Sequence, residues 1–272
     1  MRTRIPKIAI ISALIGNGGE SGVLAFTDEA QRQVENYGMD VYSFSDKDLD
    51  LLKPFFEPTL KIEDVVADGF ADRLRMKWYR QRYKQPVYPT EKDDYTRLVA
   101  KIPKILFYKL VPDTYDYYIW LDSKFTIQEH WAEYMLWLID RHQDCDIITS
   151  KHNARNSVKE EVEFMLKYRN VEKTMPLKYD MAKIAWQYSA YSKNDWFVDD
   201  KLFELTMIVY SKSMLKKKAF CEEWYAHNYY YTIQDQVSFP FLLQKHKLKV
   251  WNWNQMVFEM PFTIHEYCRP RF

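Results

Sequence analysis

A chain of 272 residues with 47% hydrophobic and 17% aromatic side chains can bury one large core or two merged lobes, which excludes a disordered or fibrous protein. Its 39 Lys and Arg against 38 Asp and Glu leave a formal charge of +1, so a nucleic acid or anionic membrane partner would need a local patch. Cys145, Cys221 and Cys268 are odd in number and far apart, with no CxxC pair or zinc spacing, which fits a reducing cytoplasm.

Strand-like and helix-like segments take turns along the chain. Arg2, Arg4 and Lys7 precede an apolar stretch, but it is short and no small-x-small cleavage site follows, so "KIAIISALI" reads as a buried first strand rather than a signal peptide. Nowhere do about 18 apolar residues run together, so no membrane insertion and a soluble, cytoplasmic protein are expected. "TDEAQRQVENYG" reads as a helix, with a Thr27 cap, acids in its first turn and a terminal Gly38. "MDVYSFS" reads as the second strand, and the two prolines of "LDLLKPFFEPTLK" suggest a wandering segment. "TEKDDYTRLVAKI" predicts a capped helix stopped by Pro103. The strand "YYIWL", the amphipathic helix "EHWAEYMLWLIDRHQ" and the strand "CDIIT" follow. Helices are predicted at "SVKEEVEFMLKYRN", which opens with a capping box, and at "YDMAKIAWQYSAYS". "LTMIVYS" and "LKVWNW" are late strands, with helices at "KSMLKKKAFCEEWYAHNYYY" and "DQVSFPFLLQKH" between them. The alternation predicts an α/β fold in one domain spanning 1–272, a mostly parallel sheet flanked by helices, without internal repeats or linkers.

Ligands of such sheets sit outside the carboxyl ends of the strands. The run "YDYYIWLDSKF" ends a buried strand on Asp122, which is either presented to that crevice or caps the following turn. Arg97 and Lys101 lie four apart on a predicted helix and share a face, either solvated or turned to an anion. Lys151 and His152 follow the strand "CDIIT" directly, with Arg155 three residues beyond. "ALIGNGGESG", after the first strand, supplies glycines where backbone can approach a ligand, or a surface loop; it matches neither GxGxxG nor Walker A.

The segment "PKILFYKLVPDTYDYYIWLDSKFTI" resembles the acidic-motif region of nucleotide-sugar-dependent glycosyltransferases with the GT-A fold. More narrowly it is similar to a plant and bacterial family of glycosyltransferases first catalogued as a domain of unknown function. The likeness continues, in order, at "ITSKHNARNSVKEEVE" and "TIQDQVSFPFLL", and covers roughly residues 95 to 250. It implies a Rossmann-like GT-A domain acting as a hexosyl- or pentosyltransferase, with a nucleotide-sugar donor and a hydroxyl acceptor on a glycan or small molecule. By resemblance Asp122 is the main acid of the motif, beside Ser123 and Lys124, holding a divalent cation, Mn²⁺ or Mg²⁺, at the diphosphate. Lys124 stands where the usual Asp-x-Asp has its second acid, so it can neutralise phosphate directly and replace part of the metal's role. Arg97, Lys101, Lys151, His152 and Arg155 would gather on the donor, with Ile15, Gly16 and Asn17 near its nucleoside. Asp235, which otherwise reads as a helix cap, is the candidate general base, with Glu204 second. His265 would complete the metal shell or is simply structural.

Residues 72 to 84, "DRLRMKWYRQRYK", hold six basic residues and three aromatics, which fits either a wet amphipathic helix or an acceptor such as modified DNA. A nucleotidyltransferase is the alternative reaction class. It would carry basic residues in the loop after the first strand, and "IGNGGESG" has none. A nucleotide-binding module without turnover is a third reading, prompted by Lys124.

Overall fold

The computed structural model describes residues 4–16, 24–65, 91–171, 181–253 and 262–264. Strand β1 (Ile8–Ala13) is buried at every position, as a strand covered by helices on both faces must be. Its side chains alternate between two cores: Ala9, Ile11 and Ala13 enter one, Ile8 and Ile10 the other. The same division holds on β4 (Tyr117–Leu121), where Tyr118 and Trp120 face the first core and Ile119 and Leu121 the second.

Six strands form the main sheet in the order β3-β1-β4-β7-β6-β8, with β3 at Asp40–Phe44, β6 at Ile147–Lys151, β7 at Phe203–Ser211 and β8 at Val250–Trp253. The pairings β1·β3, β1·β4 and β6·β8 are parallel, and β7 alone runs against its neighbours. The expected α/β architecture with a mostly parallel sheet is therefore present. A second sheet, not foreseen from sequence, joins β2 (Ala25–Phe26), β5 (Phe125–Ile127) and β9 (Phe262–Ile264).

Helices α1 (Asp28–Asn36) and α3 (Trp131–Arg141) supply Ala30, Val34, Trp131, Met135 and Leu138 to the second core. Thr27 caps α1 by accepting from the Ala30 N–H at 3.3 Å, and Gly38 takes the left-handed conformation beyond it (φ 62°). The first core is covered by α2 (Glu91–Ile105), α4 (Val158–Val171), α5 (Met181–Tyr191), α6 (Lys218–Tyr230) and α7 (Asp235–Lys245).

Two expectations are corrected. The helix expected to stop at Pro103 runs to Ile105, and Leu106 N–H still donates to the Ile102 carbonyl at 2.7 Å. Proline removes one donor, but here it lies in the last turn, where the helix is about to end anyway. The helix expected from Lys212 instead begins at Lys218, after a 3₁₀ segment at Lys212–Lys216. The "wandering" segment contains short helical pieces at Leu49–Leu52 and Lys53–Phe55, and a further one follows it at Ile62–Val65. Among the described residues no helix is long and apolar enough to cross a membrane.

Candidate functional site at the end of the central strands

A break in the β6·β7 ladder shapes the site. The pairing runs Thr149↔Ile208 and then jumps to Ser150↔Glu204, so Leu205 to Met207 bulge out of register. The freed carbonyls find other donors: Thr149 Oγ1 lies 2.9 Å from Glu204 O and 3.0 Å from Met207 O, and Asp122 N–H donates to Thr206 O at 2.9 Å. The bulge thus ties the residue after β4 to β7 and brings Glu204 to the same end of the sheet as Asp122.

Asp122 is about one-third exposed. Trp120 Nε1 donates to its Oδ1 at 2.9 Å, while Lys124 Nζ stands 3.7 Å from Oδ2. One oxygen is therefore fixed by an indole and the other is turned towards a cation. The Lys124 ammonium also lies 5.2 Å from the centre of the Phe125 ring. Ser123 is half-buried in the turn between them.

Behind Asp122, α2 projects two lysines onto the first residue of α7. Lys101 Nζ and Lys104 Nζ each lie 2.6 Å from the same oxygen, Asp235 Oδ2. The Lys104 and Asp235 side chains are 5% and 7% exposed, and Lys101 is 21% exposed. Burial alone would raise the Asp235 carboxyl, but the Lys101 and Lys104 charges outweigh it and hold it well below the usual carboxylate range. Burial pulls the Lys101 ammonium below its ordinary value, with Lys104 adding to that, while the charges of Asp235 and Asp122 oppose it. The N-cap of α7 is Gln234, which makes no side-chain cap hydrogen bond, and Asp235 is the first residue of the helix. Its carboxylate is paired with the two lysines instead.

Glu204 differs in every respect. Its side chain is 25% exposed, and burial raises its carboxyl. The charges of Asp122 and Glu161 add to the rise, and those of Lys124 and Lys104 oppose it. His152 Nε2 stands 3.9 Å from Glu204 Oε2. The His152 ring is buried, and burial together with the nearby Arg155 charge pulls it down to about 4. Arg155 Nε donates to Glu161 Oε2, and its guanidinium lies 4.1 Å from the centre of the Phe164 ring. Glu161 also accepts from Gln234 Nε2 at 3.1 Å, which links this cluster to the start of α7.

Asp122, Ser123, Lys124, Lys101, His152, Arg155, Glu204 and Asp235 thus belong to one end of the sheet. Lys104, which the sequence reading missed, joins them. Arg97 lies one turn before Lys101 on α2, and Lys151 ends β6 directly before His152; both are half-buried. Ile15 packs on the first core, and Gly16 follows it with φ +97°, its N–H donating to Asp46 Oδ1 at 2.7 Å. A Cβ on Gly16 would meet Thr96 of α2 at 3.4 Å, so the loop after β1 lies against the same helix that carries Lys101. Asn17, His265 and residues 72 to 84 lie outside the described residues.

Among the described residues no group of three or more His, Cys, Asp and Glu is arranged to hold a metal ion. A cleft of about 390 Å³ opens between residues 198–203, α7 and β8, and none of Asp122, Lys101, Lys104 or Asp235 lines it.

The profile of the family described as "TOD1/MUCI70, glycosyltransferase-like domain" matches residues 89–264, which include every charged residue of this cluster. The chain belongs to this family. Its activity class is accordingly that of an enzyme that transfers a sugar. No curated protein matches the sequence. Solved structures with a similar outline include mouse xyloside xylosyltransferase 1, at 9% identity and a TM-score of 0.41, covering 91% of this chain and 85% of that one. A glycosyltransferase involved in the glycosylation of the major capsid of PBCV-1 gives 9% identity and a TM-score of 0.37 over 92% and 82%. Core-mannan synthase A from Aspergillus fumigatus gives 11% and 0.40 over 90% and 72%. These are likenesses of outline alone.

Proposed function

We propose that the chain transfers a sugar from a nucleoside diphosphate sugar to a hydroxyl acceptor, with the diphosphate held between Lys124 and the Lys101–Lys104 pair beside Asp122. The observation that carries this reading is the lysine pair itself: two ammonium groups share one carboxylate oxygen. That leaves one positive charge for Asp122 or a bound anion to answer. As the glycosidic bond breaks, its electron pair passes to the diphosphate, and cations already fixed beside it stabilise that growing charge without reorganising.

In the same step the acceptor oxygen bonds to the anomeric carbon and gives its proton to a base. Glu204 fits that role better than Asp235. A base near the reacting centre must be reachable and deprotonated before the step, with a proton affinity raised towards working pH. Glu204 is partly exposed with a raised carboxyl, whereas Asp235 is buried, doubly ion-paired and depressed. Because the proton goes to a protein carboxylate in a single displacement, the reading is of an inverting transfer.

Mn²⁺ or Mg²⁺, if used, would be held by Asp122 together with the donor phosphates, and would supply further positive charge to the leaving group. His265 is the proposed additional ligand, and Ile15, Gly16 and Asn17 the proposed neighbours of the nucleoside. Arg97, Lys151 and Arg155 would add to the positive field. The acceptor would be a glycan or small molecule; modified DNA is motivated only by residues 72 to 84, and nothing among the described residues favours it.

Thermal shift with a panel of nucleoside diphosphates, nucleosides and nucleotide sugars, with and without Mn²⁺, tests the reading. Stabilisation by one nucleoside diphosphate but not by its nucleoside, reduced in Lys101→Met, is the expected result. A folded protein that no nucleoside diphosphate stabilises would overturn it.

A further inference from the structure

We infer that the cleft between residues 198–203, α7 and β8 is a carbohydrate subsite, holding an inner sugar unit of an oligosaccharide acceptor whose terminal hydroxyl reaches Glu204. The inference rests on the sugar-transfer reading and names the class of its acceptor. At about 390 Å³ the cleft falls within the range of sites that take small organic ligands, about 300–1,000 Å³. Phe203, Leu248 and Val250 line it with apolar surface, and Asp200, Lys201, Lys247 and Asn252 bring polar groups to it. A sugar ring suits that mixture, because its C–H faces pack on apolar surface while its hydroxyls both donate and accept. None of the four polar side chains has a hydrogen bond or ion pair among the described residues.

Two of them are out of place for a residue that serves only the fold. Val250 packs on the first core, and Asn252 follows it on the same face of β8. An apolar side chain would continue that packing, whereas a half-buried amide without a partner is a donor and an acceptor left for a ligand. Lys247 follows the end of α7 in the left-handed conformation (φ 52°). Its N–H donates to Gln244 O at 3.1 Å, and the next N–H, of Leu248, donates to Leu243 O at 3.0 Å. Glycine fills such a position at least cost. A lysine there strains the backbone and gains no partner inside the fold, so its ammonium serves the cleft.

The cleft is also preformed and joined to the strand that carries the base. Gln244 accepts from Val198 N–H at 2.9 Å and donates to Val198 O at 2.8 Å, which fastens the wall at residue 198 to α7. Phe203 is the first residue of β7 and Glu204 the second. Both β7 and β8 line the cleft, and β6 lies between them, so its width is two strand spacings, or about 10 Å. An acceptor that fills the cleft and also reaches Glu204 therefore has more than one sugar unit. A nucleoside diphosphate fits less well, because Asp200 would meet its phosphates while Lys101 and Lys104 lie outside the cleft.

The test is binding of the labelled full chain to an array of immobilised oligosaccharides, for wild type, Asn252→Leu and Lys247→Gly, with Tm measured for each. Wild type is expected to bind one class of oligosaccharide and not the corresponding monosaccharide. Each variant is expected to bind about tenfold more weakly, while Lys247→Gly holds or raises its Tm. A wild-type protein that binds no oligosaccharide, or folded variants that bind as wild type does, overturns the inference. So does loss of nucleoside diphosphate stabilisation in either variant, which would put the donor in the cleft. Oligosaccharide binding that the variants lose, by a protein that no nucleoside diphosphate stabilises, would uphold the cleft and overturn the transfer reading instead.

Discussion

Replacing Asp235 by Asn separates two roles that one carboxylate could have. The variant keeps the shape of the side chain and removes the charge that Lys101 and Lys104 share at 2.6 Å each. Removing one partner of a buried ion pair costs about 3–5 kcal/mol, because a buried charge is left uncompensated. Lys104 is 5% exposed and has no route to water, whereas Lys101, at 21%, can turn outwards. The lower end, about 3 kcal/mol, is therefore expected, which for a protein of this size lowers Tm by roughly 6–12 °C. Thermal denaturation followed by circular dichroism measures the loss. Inorganic pyrophosphate should restore part of it, since the partly exposed Lys101 then binds an anion in place of the carboxylate. If Asp235 were instead the general base, Asp235→Asn would retain its Tm and lose turnover by a factor of 10² or more. An unchanged Tm with turnover abolished would refute the reasoning.

Three further outcomes follow from the same geometry. Glu204→Gln should lower kcat by about 10²–10⁴ while Tm stays level or rises, because burial already disfavours the charged form; steady-state kinetics with thermal denaturation checks both. His152 is held neutral in the fold down to about 4, whereas in the unfolded chain it takes up a proton near 6.5. Its contribution is thus present above about 6.5 and is lost as pH falls towards 4, a change of about 3 kcal/mol that urea denaturation at stepped pH should show and that His152→Asn should flatten. Gly16→Ala should cost about 1–2 kcal/mol, because φ +97° is strained for any side chain; equilibrium unfolding reads it.

Much of the frame was legible because hydrophobic period and turn chemistry are local. The apolar run of β1, the Thr27 cap and the apolar strand ending on Asp122 each follow from a few neighbouring residues. The site was only half legible. Reading Pro103 as a stop cut α2 short, and Lys104 fell outside the predicted helix, so its three-residue spacing from Lys101 went unused. Asp235 and Lys101 were both singled out, but their 134-residue separation hid that each is the other's partner. Glu204 ranked second for a similar reason: it seemed to precede the strand. In the fold β7 begins at Phe203, and a register jump against β6 carries Glu204 to Asp122. No local pattern encodes that jump, because it is a property of the pairing.

The most direct measurement of the central claim is release of nucleoside diphosphate from a panel of nucleotide sugars, comparing wild type with Lys101→Met and Glu204→Gln, with the anomeric configuration of the product read by NMR. The account predicts that one nucleotide sugar is consumed with inversion, that Lys101→Met weakens its use, and that Glu204→Gln nearly abolishes transfer. A folded wild-type protein that releases no nucleoside diphosphate from any of them, or a product that retains its configuration, would contradict it.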